Sequence, residues 1–295
     1  MARTWFVTGA GRGIGAEIVR AALAAGDNVA ATARDPQNIK RQFAVDATRL
    51  LALPLDVSNR GQVASAVEAT VKQFGGLDVL VNNAGYGQLG VFEELSREQV
   101  RAQFETNVFG LMEVTRAVLP LMRKQRHGRI FNISSVAGRK GVFGSSIYAA
   151  SKFAVEGFSQ GLAEEAREFD VFVTAVAPGF FRTDFLDPSS VRYEGQQPIA
   201  EYAEGMKRFR EFHDARNHTQ LGDPAKLGAL LVRLANLENP PAAIVAGSDA
   251  VEWALSVVKN EQAQLEAWRE LSISTDGDWT DARTDALPSV ERAVS

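Results

Sequence analysis

Up to residue 177, short and nearly continuous apolar runs alternate with stretches whose apolar residues recur at helical spacing. The runs are residues 5–8, 28–33, 51–55, 78–82, 129–134 and 171–177. None shows the polar alternation of a strand with one wet face, so they read as parallel strands covered on both sides. Between them, residues 13–25, 60–74, 97–124 and 146–169 carry helical spacing. Strand and helix in alternation demand a parallel sheet with right-handed crossovers. The expected fold class is α/β, with a single doubly wound parallel β-sheet flanked by helices.

The pattern changes at residues 183–222, which are charged, hold Pro188 and Pro198, and scatter Phe185, Tyr193, Tyr202, Phe209 and Phe212. A long non-core segment inside a compact domain is usually functional or disordered, and this one is expected to be an insertion or lid of short helices over a site. Asp223-Pro224 then reads as an N-cap with proline at the first helical position, opening a helix over 225–236. A strand at 243–246 and a helix over 249–271 complete a single domain of residues 1–275, followed by a polar tail at 276–295.

Composition closes several routes. There is no cysteine among the 295 residues, which excludes disulfides, thiolate catalysis and Cys-ligated metal sites. Net charge is −4, so no global basic field draws nucleic acid or an anionic membrane. The start of the chain carries no signal-like apolar run, and no stretch reaches the ~18 apolar residues of a membrane span. A cytoplasmic protein without nucleic-acid or membrane partners is expected. His127, His213 and His218 form no metal pattern, and no metal is expected.

The first run leads directly into Thr8-Gly9-Ala10-Gly11-Arg12-Gly13-Ile14-Gly15, which opens the first helix. Glycines there permit a tight turn, close backbone approach to a phosphate and close packing of helix on strand. The helix N-terminus adds unpaired N–H groups and positive dipole. A tight turn with no ligand is the plainer alternative.

The spacing Gly9-xxx-Gly13-x-Gly15, taken with the alternation, resembles the classical short-chain dehydrogenase/reductase family over about residues 3–182, and more loosely beyond 222. That resemblance implies a Rossmann-type fold and a nicotinamide cofactor. In that family an acidic residue at the end of the second strand reads NAD. Here Ala33 holds that position and Arg34 follows. Arg34 and Arg12 suit a 2′-phosphate, because guanidinium forks fit phosphate oxygens bidentately, so NADP(H) is the expected cofactor. Asp35, 20 residues beyond Gly15, competes for the ribose-acid role, but Asp35-Pro36 reads better as a turn or a cap. The resemblance also assigns Asp56 and Val57 to the adenine ring, and Asn83, Ala84 and Gly85 to the sheet edge beside the cofactor. Pro178, Gly179 and Thr183 fall to the carboxamide. All lie at carboxyl ends of expected strands, where open α/β sheets bind ligands.

Tyr148 and Lys152 are four residues apart on one expected helix and share a face. Taken alone, such a pair is usually a surface feature. Here it follows Asn132-Ile133-Ser134-Ser135, and the layout looks like the family's Ser/Tyr/Lys triad, with Asn107 as fourth member. Hydride transfer to a carbonyl develops alkoxide charge, which needs a proton donor at the oxygen. A tyrosine of pKa ~10 is a poor shuttle near neutrality unless a neighbouring ammonium favours phenolate. Tyr148 is therefore expected as acid and base, Lys152 as its tuner and ribose ligand, Ser135 as donor to the substrate oxygen, and Asn107 as support for a proton-relay water. Ser134 is the nearest rival to Ser135: strand alternation lets only one of the two reach the site, and the family's spacing to Tyr148 selects Ser135. The expected substrate is a small ketone, aldehyde or secondary alcohol in a pocket made apolar by Val142, Phe143, Phe180 and Phe181. The family implies a homodimer or homotetramer. A cofactor-holding sensor without turnover is the alternative, although such proteins usually lose the tyrosine or the lysine.

Overall fold

The computed structural model describes residues 2–43, 48–193, 195 and 198–277. In chain order the strands are β1 (Thr4–Val7), β2 (Asn28–Ala33), β3 (Leu50–Pro54), β4 (Val79–Asn82), β5 (Gly87–Gln88), β6 (Gly128–Ile133), β7 (Val171–Pro178), β8 (Val191–Arg192) and β9 (Ala243–Ala246). The α-helices are α1 (Gly13–Ala24), α2 (Gln37–Gln42), α3 (Arg60–Phe74), α4 (Arg97–Phe104), α5 (Leu111–Gln125), α6 (Ser146–Ala166), α7 (Ala203–Asp214), α8 (Pro224–Asn236) and α9 (Ser248–Ile273). Contacts gather into two units, residues 1–255 and 256–295.

Seven strands form one parallel sheet in the order β3-β2-β1-β4-β6-β7-β9. This is the Rossmann-type doubly wound sheet. Successive side chains of β1 explain the unbroken apolar runs: Trp5 and Val7 enter one core with Ile18, Leu227 and Leu231, whereas Phe6 enters the other with Leu80, Ile130, Val114 and Leu162. Strand order reverses between β1 and β4, which opens a crevice at their carboxyl ends.

Local chemistry sets the helix limits. The Asn59 side chain accepts the Gln62 N–H to start α3, and Gly75 at φ +83° ends it. Ser96 and Gln99 close a reciprocal capping box at α4. Asp223 accepts from Ala225 N ahead of Pro224, starting α8 one residue earlier than the sequence suggests.

Three features depart from the sequence expectation. Residues 97–124 are not one regular helix, because α4 and α5 are joined by a π-helical turn, Glu105–Gly110. Such turns insert an extra residue without breaking the apolar stripe, so periodicity hides them. The described residues of 183–222 hold one helix of 12 residues, α7, together with 3₁₀ turns at Asp184–Leu186 and Ala200–Tyr202. The segment is also pinned by a two-stranded parallel ribbon, β5 with β8. Most of the expected 276–295 tail lies outside the described residues.

A buried polar chain ties together the elements nearest the crevice. Asn82 Nδ2 donates to Thr115 Oγ1 at 2.9 Å and to Asn132 Oδ1 at 2.8 Å, and Asn132 Nδ2 donates to Ser159 Oγ at 2.9 Å. These bonds join β4, α5, β6 and α6. Removing one member strands buried donors and acceptors, whose desolvation is then uncompensated. Asn132→Ala is expected to lower unfolding free energy by about 1–3 kcal/mol, read as a lower urea midpoint at unchanged slope.

Candidate active site

The turns after β1 and β4 interlock. Asn83 Nδ2 donates to Thr8 O at 3.0 Å and Gly9 O at 3.1 Å. The buried Thr8 hydroxyl accepts from both Asn83 N and Ala84 N at 3.0 Å. Gly9 has φ +64°, and a Cβ there would lie 2.8 Å from Ala84 Cα. A Cβ on Gly15 would run into the Gly9 carbonyl and the Asn83 amide. Both glycines are therefore required by packing within the protein. Sequence reading missed the part played by Thr8, whose signal was its place at the end of β1.

A cavity of about 1410 Å³ opens over this junction. Of the expected site residues, Gly15 and Asn107 do not line it and the rest do. The α1 N-terminus faces it with no side-chain cap and no acidic residue in its first turn. Such an end suits an anion, and the donor set fits a dinucleotide pyrophosphate. Further along the cavity, Gly179 N donates to Ala246 O at 2.9 Å, and the Asp249 carboxylate accepts from Phe180 N at 2.7 Å. Asp249, at the start of α9, was not foreseen. It fixes the turn after β7. Thr183 caps the following 3₁₀ turn, accepting from Phe185 N at 3.2 Å.

The two arginines differ. Arg12 is committed to residues 184–190: it pairs with Asp184 at 2.8 Å and donates to Ser189 Oγ, Ser189 O and Ser190 Oγ. Arg34 is exposed and makes no hydrogen bond or ion pair among the described residues. Asp35 accepts from Gln37 N at 3.0 Å, which is turn chemistry. The Asp56 carboxylate takes the Ser58 hydroxyl at 2.7 Å and the Ser58 N–H at 3.0 Å, which holds its pKa below the usual carboxylate value.

Ser135 follows β6, while Tyr148 and Lys152 share a face of α6. Burial pushes the Tyr148 phenol up to about 12, and the Ser135 hydroxyl beside it acts the other way. Lys152 is 7% exposed and donates to Ile133 O at 2.8 Å, with its Nζ 5.9 Å from the Tyr148 ring centroid. Burial pulls that ammonium down to about 8. Ser134 donates to Lys152 O at 3.4 Å. Asn107, on the π turn, accepts from Tyr86 N at 3.1 Å and donates to Tyr86 O at 3.0 Å and Ser151 Oγ at 3.3 Å. It joins the β4–β5 segment to α6 and does not touch Lys152.

Residues 3–193 match the family model described as short chain dehydrogenase. The chain belongs to the short-chain dehydrogenase family. It is 37% identical over 236 residues to a 3-ketodihydrosphingosine reductase of Bacteroides thetaiotaomicron, covering 80% of this chain and 84% of that one. A short-chain dehydrogenase structure from Streptomyces avermitilis superposes with TM-score 0.87 at 36% identity, covering 94% of this chain and all of the other. The structure of ElxO with NADP bound has TM-score 0.69 at 27% identity, covering 83% and 96%. This short-chain dehydrogenase is thus an oxidoreductase. No helix of its described residues is long and apolar enough to cross a membrane, and no cluster of three metal-ligating side chains occurs among them.

In this dehydrogenase the segment over residues 183–222 lays Phe209, Phe212 and His213 against the cavity wall. His213 sits edge-on to Phe209 at 4.4 Å and bonds Phe209 O through Nδ1. Desolvation in that aromatic nest lowers its pKa. His218 instead pairs with Asp187 at 3.1 Å. For the enzyme without cofactor, the Tyr148 phenol is expected to remain protonated past its ordinary midpoint of 10. Ultraviolet titration of wild type against Tyr148→Phe checks this. A phenolate unique to wild type should emerge only above that pH, and one near neutrality would contradict the burial argument.

Proposed function

We propose that the enzyme is an NADP(H)-dependent reductase of apolar ketones or aldehydes, reversible toward secondary alcohols. The observation that carries this reading is the meeting of Ser135, Tyr148 and Lys152 on one wall of the cavity that the uncapped α1 N-terminus also lines. A bound nicotinamide supplies or accepts the hydride. The protein supplies placement and protons. Ser135 Oγ donates to the substrate oxygen and polarises it. Tyr148 Oη gives its proton to the developing alkoxide in reduction and takes it back in oxidation. Burial raises the phenol to about 12, the opposite of the lowering expected of a proton shuttle, so the positive charges beside it must work against that burial. Lys152, held at Ile133 O, keeps a positive charge near the phenol.

Gly9, Gly11, Gly13, Ile14 and the α1 N-terminus would hold the pyrophosphate. Asp56, Val57 and the 83–85 turn would border the adenosine side, and Pro178, Gly179 and Thr183 the nicotinamide side. Support for NADP over NAD comes from Arg34, a cation directly after β2 that makes no hydrogen bond or ion pair among the described residues. Arg12 must exchange its contacts with residues 184–190 before it can serve a phosphate, so Arg34 is the principal reader.

The substrate class rests on Val142, Phe143, Phe180, Phe209 and Phe212 along the cavity. The likeness to a 3-ketodihydrosphingosine reductase supports a carbonyl on an apolar body. Self-association through α5 and α6 belongs to the same reading, since Phe109 and Phe153 are 50% and 47% exposed beside and on them. So does residence in the cytoplasm.

Initial rates of NADPH and NADH oxidation with a panel of apolar ketones and aldehydes test the proposal. NADPH should be preferred, and Tyr148→Phe should lose about 10²–10⁴-fold in rate. Arg34→Ala should raise KM for NADPH about tenfold and leave that for NADH almost unchanged. Equal rates with both cofactors in wild type would overturn the cofactor assignment. Binding of NADPH without turnover of any carbonyl would favour a sensor.

A further inference from the structure

Glu156 is a buried acid that the chemistry above does not use. It lies on α6 one turn beyond Lys152 and two beyond Tyr148, on the same face. The residue is 5% exposed, and neither carboxylate oxygen accepts a hydrogen bond among the described residues. Its one ion pair is with Arg139, whose Nη2 lies 3.6 Å from Oε2. A buried carboxylate so poorly bonded costs several kcal/mol unless nearby charges offset it.

Its surroundings say where that offset comes from. Arg139 directly follows the Val136–Gly138 3₁₀ turn, which Ser135 opens. That turn is pressed against α6: a Cβ on Gly138 would lie 2.7 Å from Ser134 Oγ, 3.0 Å from Lys152 O and 3.1 Å from Glu156 Cγ. The Arg139–Glu156 pair therefore spans the seam between the element carrying Ser135 and the element carrying Tyr148 and Lys152. Lys152 stands one turn before Glu156 on the same face of α6. The two form no direct ion pair, yet the Glu156 carboxylate opposes the effect of burial on that lysine. The groups seen against Lys152 itself are neutral at ordinary pH: the Tyr148 ring on its own helix, the Ile133 carbonyl from β6 and the Ser134 hydroxyl on its carbonyl. Lys140 lines the cavity and lies 5.7 Å from the Trp253 ring, and Asp249 is bonded to Phe180 N.

We propose that Glu156 is a positioning residue for Lys152: its buried carboxylate, shared with Arg139, holds the lysine charged and braces the Ser135 loop against α6. The role of Lys152 rests on the reductase reading, but the charge relation does not.

The test is to titrate Lys152 directly, by NMR of protein labelled with carbon-13 at the lysine side chains, assigning its signal by its loss in Lys152→Arg. Glu156→Gln removes the opposing charge and should shift the Lys152 midpoint down by about one pH unit. Glu156→Asp should restore part of that shift. Arg139→Gln removes a competing cation and should move the midpoint up. It also keeps the proposal testable if Glu156→Gln fails to fold. The alkaline limb of kcat/KM for carbonyl reduction should move with each midpoint, in the same direction. A midpoint unmoved by Glu156→Gln, or lowered by both Gln variants, would reduce Glu156 to a structural brace and overturn the proposal. Midpoints that move as expected in an enzyme that reduces no carbonyl would uphold it and sink the reductase reading instead.

Discussion

Asn83 reaches across the crevice between the first and fourth strands and binds two carbonyls of the glycine turn, and the whole cavity is arranged around that contact. It works because Gly15 and Gly9 have no side chains where the two turns cross. Thr8 completes the junction by accepting two N–H groups of the opposing turn. The α1 N-terminus is thereby left uncapped and aimed into the cavity, which is the one place in the sheet where strand order reverses. A side chain at either glycine would push the turns apart and spoil the anion-binding end with them.

Ser135, Tyr148 and Lys152 stand on a second junction of the same kind. The Ser135 loop and α6 approach so closely that Gly138 has no room for a Cβ. Burial there makes charge expensive. The phenol of Tyr148 rises, and the ammonium of Lys152 falls, for the same reason. Few charges are present to counter that, so the position of each one matters. Arg12 shows the same economy at the rim, where a single guanidinium ties the glycine turn to Asp184, Ser189 and Ser190.

Much of this was legible in the sequence because it depends on short-range pattern. A strand buried on both faces must be apolar throughout, so each core strand announced itself. Tyr148 and Lys152 stand four apart, which places them on one face of any helix. What escaped depends on long-range contact. The π turn at Glu105–Gly110 keeps the apolar stripe of its flanking helices, so nothing in the spacing betrays it. The β5–β8 ribbon pairs two residues with two others about a hundred positions away. The partners of Arg12 lie 172 to 178 residues along the chain. Asp249 and Glu156 read as ordinary helix acids until the fold brings them to Phe180 N and to Arg139. For Asn107, nothing in the sequence signals its bonds to Tyr86 and Ser151, which lie 21 and 44 positions away.

The central claim is that this cavity passes a hydride directly between a nicotinamide and a carbonyl carbon while Tyr148 handles the proton. The most direct test is to run the reaction with NADPH deuterated at the transferring position and examine the alcohol by mass spectrometry. The account expects a single deuterium on the carbinol carbon, the hydroxyl proton coming from solvent by way of Tyr148. An alcohol without deuterium would contradict direct transfer, and so would label that scrambles with solvent.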